Sequence, residues 1–142
     1  MLNQTEKYGV NITATNREFL AMFKVFSDTK DVKNVKFATI NLINSRVIKN
    51  QLDELEQMAI PTQEFIELSV KAQELINAEN EEGLKQLEAE HAELVQSRKD
   101  QLAVVNAKLD EEVTLELKML NEKILPEELS AEELEILSKL IH

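Results

Sequence analysis

The chain contains no cysteine, and only two glycines (Gly9, Gly83) and two prolines (Pro61, Pro126) interrupt its 142 residues. Without thiols there is no disulfide framework, no thiolate metal site and no cysteine nucleophile, and the redox compartment stays unmarked. So few turn residues exclude an all-β or alternating βα fold, both of which need frequent turns. The two glycines lie 74 positions apart, which excludes a glycine-rich phosphate loop. No apolar run approaches the ~20 residues that span a bilayer. Met1 to Lys7 lacks the basic flank and apolar stretch of a signal peptide. An intracellular, soluble protein is expected.

What remains is dominated by Glu, Leu, Lys, Ala, Gln and Ile, all good helix formers or core residues of helices. The expectation is a mainly all-α fold: a long antiparallel helical hairpin with short N- and C-terminal helices, to which a two-stranded β-ribbon could be added. The length fits one domain. Its parts are a Phe-rich N-terminal cap over residues 1–30, a hairpin over 31–112 that turns near 77–83, and a strand-like segment plus final helix over 113–142.

Charge is unevenly placed. The net charge is −11, yet residues 1–50 carry eight Lys/Arg against four Asp/Glu, and residues 51–142 carry eight against twenty-three. An acidic chain is repelled by duplex DNA and by anionic membranes, so neither nucleic acid nor membrane is an expected partner. The N-terminal basic excess is more simply used against the protein's own acidic half, within or between subunits.

Local patterns place the elements. Tyr8, Val10 and Ile12 alternate with polar residues, as in a short strand. Thr15 and Glu18 have capping-box spacing and open a first helix running to about Phe26. A second helix starts near Asp31, with apolar Phe37, Ile40, Val47, Ile48, Leu52, Leu55 and Met58 at helical spacing, and with polar Asn44 and Gln51 on the same line. Pro61 ends or kinks it. Because the apolar phase continues through Phe65, Ala72 and Ile76, one long kinked helix over about 31–79 is favoured over two helices. After the turn at Asn77–Gly83, the stripe Leu84, Leu87, His91, Leu94, Arg98, Leu102, Val105 and Leu109 reads as a two-helix seam of coiled-coil type. From Val113 to Met119 the pattern alternates, so that strand and helix both remain open. Ser130 and Glu133 form a second capping box before a final helix with Leu134, Leu137 and Ile141.

The constellations that resemble chemistry do not complete themselves. Glu88 and His91 have the Glu-x-x-His spacing of a di-iron bundle, but the only other histidine is His142. His91 is better read as a polar residue on the apolar stripe, fixing helix register. His91-Ala92-Glu93 matches half of a zinc-deaminase motif whose cysteine half is absent. No serine sits in a Gly-x-Ser-x-Gly elbow. Adjacent carboxylates such as Glu111 and Glu112 read as solvated charge on helix faces. No catalytic, cofactor-binding or metal-binding residue is assigned, and no enzyme is expected.

The candidate interaction surface lies near the N-terminus. Four of the five phenylalanines fall within nineteen residues, of which Phe19, Phe23 and Phe26 belong to the first helix and Phe37 to the second. They read as a local core, as an interface with a partner or second copy, or as both. Lys30, Lys33 and Lys36 form the basic cluster, read as a solvated helix start, a salt-bridge partner, or a pocket for a small anionic ligand.

The run Lys36-Phe37-Ala38, then Ile40, Asn41, Asn44, Ile48 and Leu52, followed by a turn, a second long helix, Glu111-Glu112-Val113-Thr114-Leu115-Glu116-Leu117 and Leu125-Pro126-Glu127-Glu128-Leu129-Ser130-Ala131-Glu132, resembles a family of uncharacterised small helical proteins of bacteriophages and prophages. The resemblance covers residues 31–141 and departs at Pro61 and at the short Asn80–Gly83 turn. It implies a phage accessory or structural protein, cytoplasmic in the infected host or virion-associated, that works by self-association and protein–protein contact. The alternative is an inhibitor of a host defence or regulatory protein, by acidic mimicry or by sequestering a small anionic signal.

Overall fold

The computed structural model describes residues 9–142, so Tyr8 lies outside the described residues. Strand β1 (Val10–Thr15) leads into α1 (Asn16–Asp28). Then come α2 (Val35–Ala59), α3 (Gln63–Asn77), α4 (Glu81–Glu90), α5 (Ala92–Leu109), strand β2 (Glu112–Leu117) and α6 (Ala131–Ile136), with 3-10 turns at Glu122–Ile124 and Ser138–Leu140. The fold is mainly all-α with a small β-ribbon, as expected. Val113 to Leu117 is strand, because alternation lets β2 pair antiparallel with β1 in a register running from Val10 opposite Leu117 to Thr15 opposite Glu112. Thr13 and Thr114 face each other across the ribbon with their hydroxyls 2.8 Å apart.

The chain divides into two compact units, residues 1–54 with 109–142, and residues 55–108. In the first unit α1 buries Phe19, Met22, Val25 and Phe26, and α2 contributes Phe37, Ile40 and Ile48. Leu117, Leu120, Leu129, Leu137 and Leu140 supply the C-terminal side of the same core. Both capping boxes form: Thr15 Oγ1 accepts from the Glu18 N–H at 3.1 Å, and Ser130 Oγ from the Glu133 N–H at 3.1 Å. The segment from Leu120 is held against Ile141 by a parallel bridge.

One polar side chain is central to this unit. Asn44 is fully buried. Its Nδ2 donates to the Lys118 carbonyl at 2.9 Å, while its Oδ1 accepts from the Lys118 N–H at 2.8 Å. A side-chain amide thus satisfies both backbone groups of the residue that follows β2.

Three expectations are corrected. The long kinked helix over 31–79 is two helices. α2 begins at Val35 because Asn34 acts as its cap, with Oδ1 accepting from the Phe37 N–H at 3.1 Å. It ends at Ala59 because Pro61 lacks an N–H and disfavours helical backbone at Ile60. Thr62 then starts α3, its Oγ1 accepting from the Phe65 N–H at 3.2 Å. The second arm is also interrupted: His91 adopts φ −118° and ψ 29° between α4 and α5. That departure from helical geometry takes His91 out of the apolar phase and leaves it exposed, so it does not fix register from within a seam.

Within the second unit, α3 and the returning α4–α5 pair run antiparallel. Asn80 caps α4 beside the end of α3, and Arg98 and Gln101 of α5 reach residues 58–60. Pro61 leaves the last carbonyls of α2 without helical partners. Arg98 donates to Ala59 O at 2.8 Å, and Gln101 donates to Met58 O at 2.6 Å and to Ile60 O at 2.9 Å. The Arg98 guanidinium also lies 5.6 Å from the centre of the Phe65 ring.

The turn after α3 is a Schellman motif: Asn80 N–H donates to Leu75 O at 2.9 Å and Glu79 N–H to Ile76 O at 3.0 Å. Glu79 is held at φ 55°, where a Cβ is unfavourable.

Two outcomes follow from these contacts. Asn44→Leu should lower stability by about 2–3 kcal/mol in urea unfolding, because it strands an N–H and a C=O inside the first unit. Glu79→Gly should raise stability by roughly 0.5–1 kcal/mol, read as a higher thermal midpoint, since glycine accepts the left-handed conformation.

Candidate interaction surfaces

The structure separates the sequence-derived surface residues. Phe19, Phe26 and Phe37 are core, each at most 1% exposed. Phe23 alone of the four reaches the surface, half-buried on α1. Lys30, Lys33 and Lys36 are all exposed. Lys30 lines a cleft with Phe23, whereas Lys33 and Lys36 do not.

That cleft lies between α1 and α2, walled by Phe23, Phe26, Ala38 and Leu42, with Ser27 and Ser45 beside Lys30 at its edge. Leu42 is 52% exposed, off the buried line of α2. Asn41 also lines the cleft, although it is only 4% exposed. Its Nδ2 donates to Thr29 Oγ1 at 3.3 Å. The Thr29 hydroxyl in turn donates to Val25 O at 2.7 Å, so it can only accept from Asn41. This fixes the amide orientation and leaves Asn41 Oδ1 buried with no donor among the described residues.

A second depression adjoins the first along α1. It shares Phe23 and Ser27 and adds Leu20, Ala21 and Lys24, with Arg17 and Asp28 at its ends. Leu20 is 45% exposed there. Arg17 is engaged with Asp110 at 3.0 Å, both side chains more than half exposed, a pair of little net energetic value.

The opposite end of α1 is clamped by Lys139, whose Nζ donates to Glu18 Oε2 at 3.0 Å and to Thr13 O at 3.3 Å. The Lys139 hydrogen bond, followed by that from the Thr15 N–H, holds the Glu18 carboxyl below the ordinary carboxylate range.

In the second unit, only Leu55, Leu68 and Val105 are buried hydrophobic residues. Against these three stand Ile60, Ile66, Val70 and Ile76 on one side of the hairpin's sequence, each 40–54% exposed, and Leu102 and Val104 on the other, at 38% and 48%. Sequence periodicity placed Ile76 and Leu102 on the stripes of the hairpin but could not tell a covered stripe from a bare one, and it did not mark Ile60, Ile66, Val70 or Val104.

Among the described residues no helix is long and apolar enough to cross a membrane, and no group of three or more His, Asp or Glu side chains is placed to hold a metal ion. No protein-family model matches the chain, and no curated protein or solved structure matches it significantly. What the fold defines is a class: a mainly helical protein with a ribbon-stitched first unit and a helical hairpin in the second.

The lowered Glu18 pKa means the folded state binds fewer protons there than the unfolded chain. Its contribution is therefore present above the ordinary carboxylate range and lost as pH falls through the lower folded value. In acid-unfolding curves Glu18→Gln should flatten the stability change across that window, and Lys139→Ala should do the same.

Proposed function

We propose that this chain is a non-enzymatic interaction protein that self-associates through its helical hairpin and engages a protein partner. The phage accessory or structural role that its resemblance implies is of this kind.

The observation that carries the reading is the imbalance in residues 55–108. A stable unit of this size buries a continuous apolar core, yet three buried side chains stand against six large apolar ones at the surface. Two helices laid side by side cover one stripe each, and any apolar residue on a second stripe waits for another surface. Covering Ile66 and Val70, one turn apart on α3, with a second hairpin would turn the pair into a four-helix bundle. At ~25 cal/mol per Å² of apolar surface, burying these side chains offers a larger driving force than the exposed ion pairs of the chain.

Self-association of this origin is concentration-dependent and persists at high salt, since no charge pair sustains it. Sedimentation velocity across a micromolar concentration series at low and high salt should show an oligomer in both conditions. Ile66→Glu with Val70→Glu should convert it to monomer while leaving far-UV circular dichroism helical. A wild-type chain that stays monomeric throughout the series would remove the proposal, as would an oligomer that dissociates with salt.

A further inference from the structure

We propose that the outer edge of β2 is a docking site for an extended segment of a partner protein, with basic and apolar residues alternating, which adds to the ribbon as a third, antiparallel strand. This rests on the interaction-protein reading and names a site separate from the self-associating hairpin.

The ladder between the strands fixes which backbone groups point outward. The Asn16 N–H donates to Glu111 O at 3.1 Å, so alternation along the register makes Ala14 with Val113, Ile12 with Leu115 and Val10 with Leu117 the hydrogen-bonded pairs. Asn11, Thr13 and Thr15 on β1, and Glu112, Thr114 and Glu116 on β2, therefore turn their N–H and C=O groups away from the ribbon. Contacts on β1 agree: Thr13 O accepts from Lys139 Nζ at 3.3 Å, and the Thr15 N–H donates to Glu18 Oε1 at 3.4 Å. The sheet has only these two strands, so neither outward row meets a third.

The two edges are finished differently. That of β1 is crossed by Lys139 and capped at Thr15. On β2 the row is closed only at its end, where Asn44 takes both backbone groups of Lys118 in the place of a strand. The outward N–H and C=O groups of Glu112, Thr114 and Glu116 have no partner among the described residues. Backbone groups left in this way belong in water, since a core would not tolerate them, and all three residues are exposed. The Glu116 side chain does not cover the row, because it lies over Gly9 on the β1 side of the ribbon, where a Cβ would come within 2.5 Å of its Cγ. The six residues of β2 offer ~20 Å of edge, the length of one ordinary strand.

Charge and pattern select the occupant. Glu112, Thr114 and Glu116 present their side chains on one face, and neither glutamate makes an ion pair among the described residues. Of the neighbouring cations, Arg17 is held by Asp110, Lys139 by Glu18, and Lys118 stands at the end that Asn44 closes. In an antiparallel third strand, the residues whose N–H groups meet β2 stand directly opposite these side chains. Lys or Arg is attracted there, and Glu or Asp repelled. On the other face Val113 and Leu115 are half-buried, so apolar residues at the alternate positions extend that surface. A second copy is a poor occupant. Two β2 strands paired antiparallel about Thr114 would set Glu112 opposite Glu116 twice, a like-charge guard against edge-to-edge pairing.

The test uses the full chain and its Ile66→Glu/Val70→Glu variant, so that failure of self-association does not decide the result. Three labelled peptides of about eight residues are titrated by fluorescence anisotropy. One alternates Lys with Val or Thr, one carries Glu in place of Lys, and one is the Lys peptide N-methylated at its lysines, which keeps the charge but removes the N–H groups that meet β2. Amide hydrogen exchange is followed by NMR at saturation. The Lys peptide should bind saturably and slow exchange of the Glu112, Thr114 and Glu116 amides about tenfold, while the Val113 and Leu115 amides are slow with or without it. The N-methylated and Glu peptides should each bind about tenfold more weakly or worse. Glu112→Lys with Glu116→Lys should reverse the preference in favour of the Glu peptide, slow Val113 and Leu115 amides showing that the ribbon is intact.

Equal affinity for the N-methylated peptide would overturn the proposal, since charge alone would then account for binding. Slow exchange at Glu112, Thr114 and Glu116 in the free variant chain would overturn it too, because the edge would already be covered. So would a bound Lys peptide that leaves these three amides unprotected. Protection that grows with protein concentration and needs no peptide would reassign the edge to a second copy of the chain.

Discussion

The first unit depends on how backbone polar groups are satisfied where helix meets ribbon. β2 ends at Leu117, and the chain must then turn beneath α2 with Lys118 carrying an N–H and a C=O that no third strand receives. Asn44 takes both, in the two-point pattern that a neighbouring strand would offer. A buried amide is costly alone and nearly neutral when fully bonded. The benefit is therefore specificity of position: α2 can sit on the ribbon at one rotation and one height. The same device recurs nearby. Asn34 caps α2 and donates to Ile124 O at 2.8 Å, and Gln51 reaches Asn16 at 3.4 Å. Asn34, Asn41, Asn44 and Gln51 stand seven, three and seven positions apart, a polar line inside an apolar face.

The second unit solves a related problem differently. Pro61 ends a helix in mid-arm and exposes carbonyls that need donors. Arg98 and Gln101 bring them from across the hairpin, so the break that interrupts the backbone also ties the two limbs together. This locks the antiparallel arrangement with little apolar burial, which is why large aliphatic side chains remain outside. The unit is held by capping bonds and a cation over Phe65 more than by a core, and its bare aliphatic residues are what make self-association a reasonable proposal.

Charge follows the three-dimensional division more evenly than it follows the sequence. The steep change from a basic N-terminal third to an acidic remainder is moderated in the first unit, where among the described residues 9–54 fold with 109–142 and ten Lys/Arg meet fifteen Asp/Glu. Arg17 with Asp110 and Lys139 with Glu18 join the two segments directly. Lys24 and Lys30 remain exposed in the depressions that Phe23 lines, and neither makes an ion pair among the described residues.

Composition and local spacing were enough to establish a mainly helical chain, both capping boxes, the turn after Asn77 and the alternation of Val113, Leu115 and Leu117, because each depends on neighbours within a few residues. Pro61 was legible as an obstacle, but whether it kinks or breaks a helix depended on donors from residues nearly forty positions away. The strand at Glu112–Leu117 needed a partner a hundred residues distant before alternation could mean β rather than helix. Phe19, Phe23, Phe26 and Phe37 looked alike in sequence; folding took three into the core of the first unit and left Phe23 half-buried at its surface. His91 looked like a seam residue until the backbone turned it outward. The absence of cysteine and the scarcity of glycine and proline therefore decided the class of structure. Which polar groups were left without partners, and hence which surfaces are open to a second molecule, was decided only by contacts between distant segments.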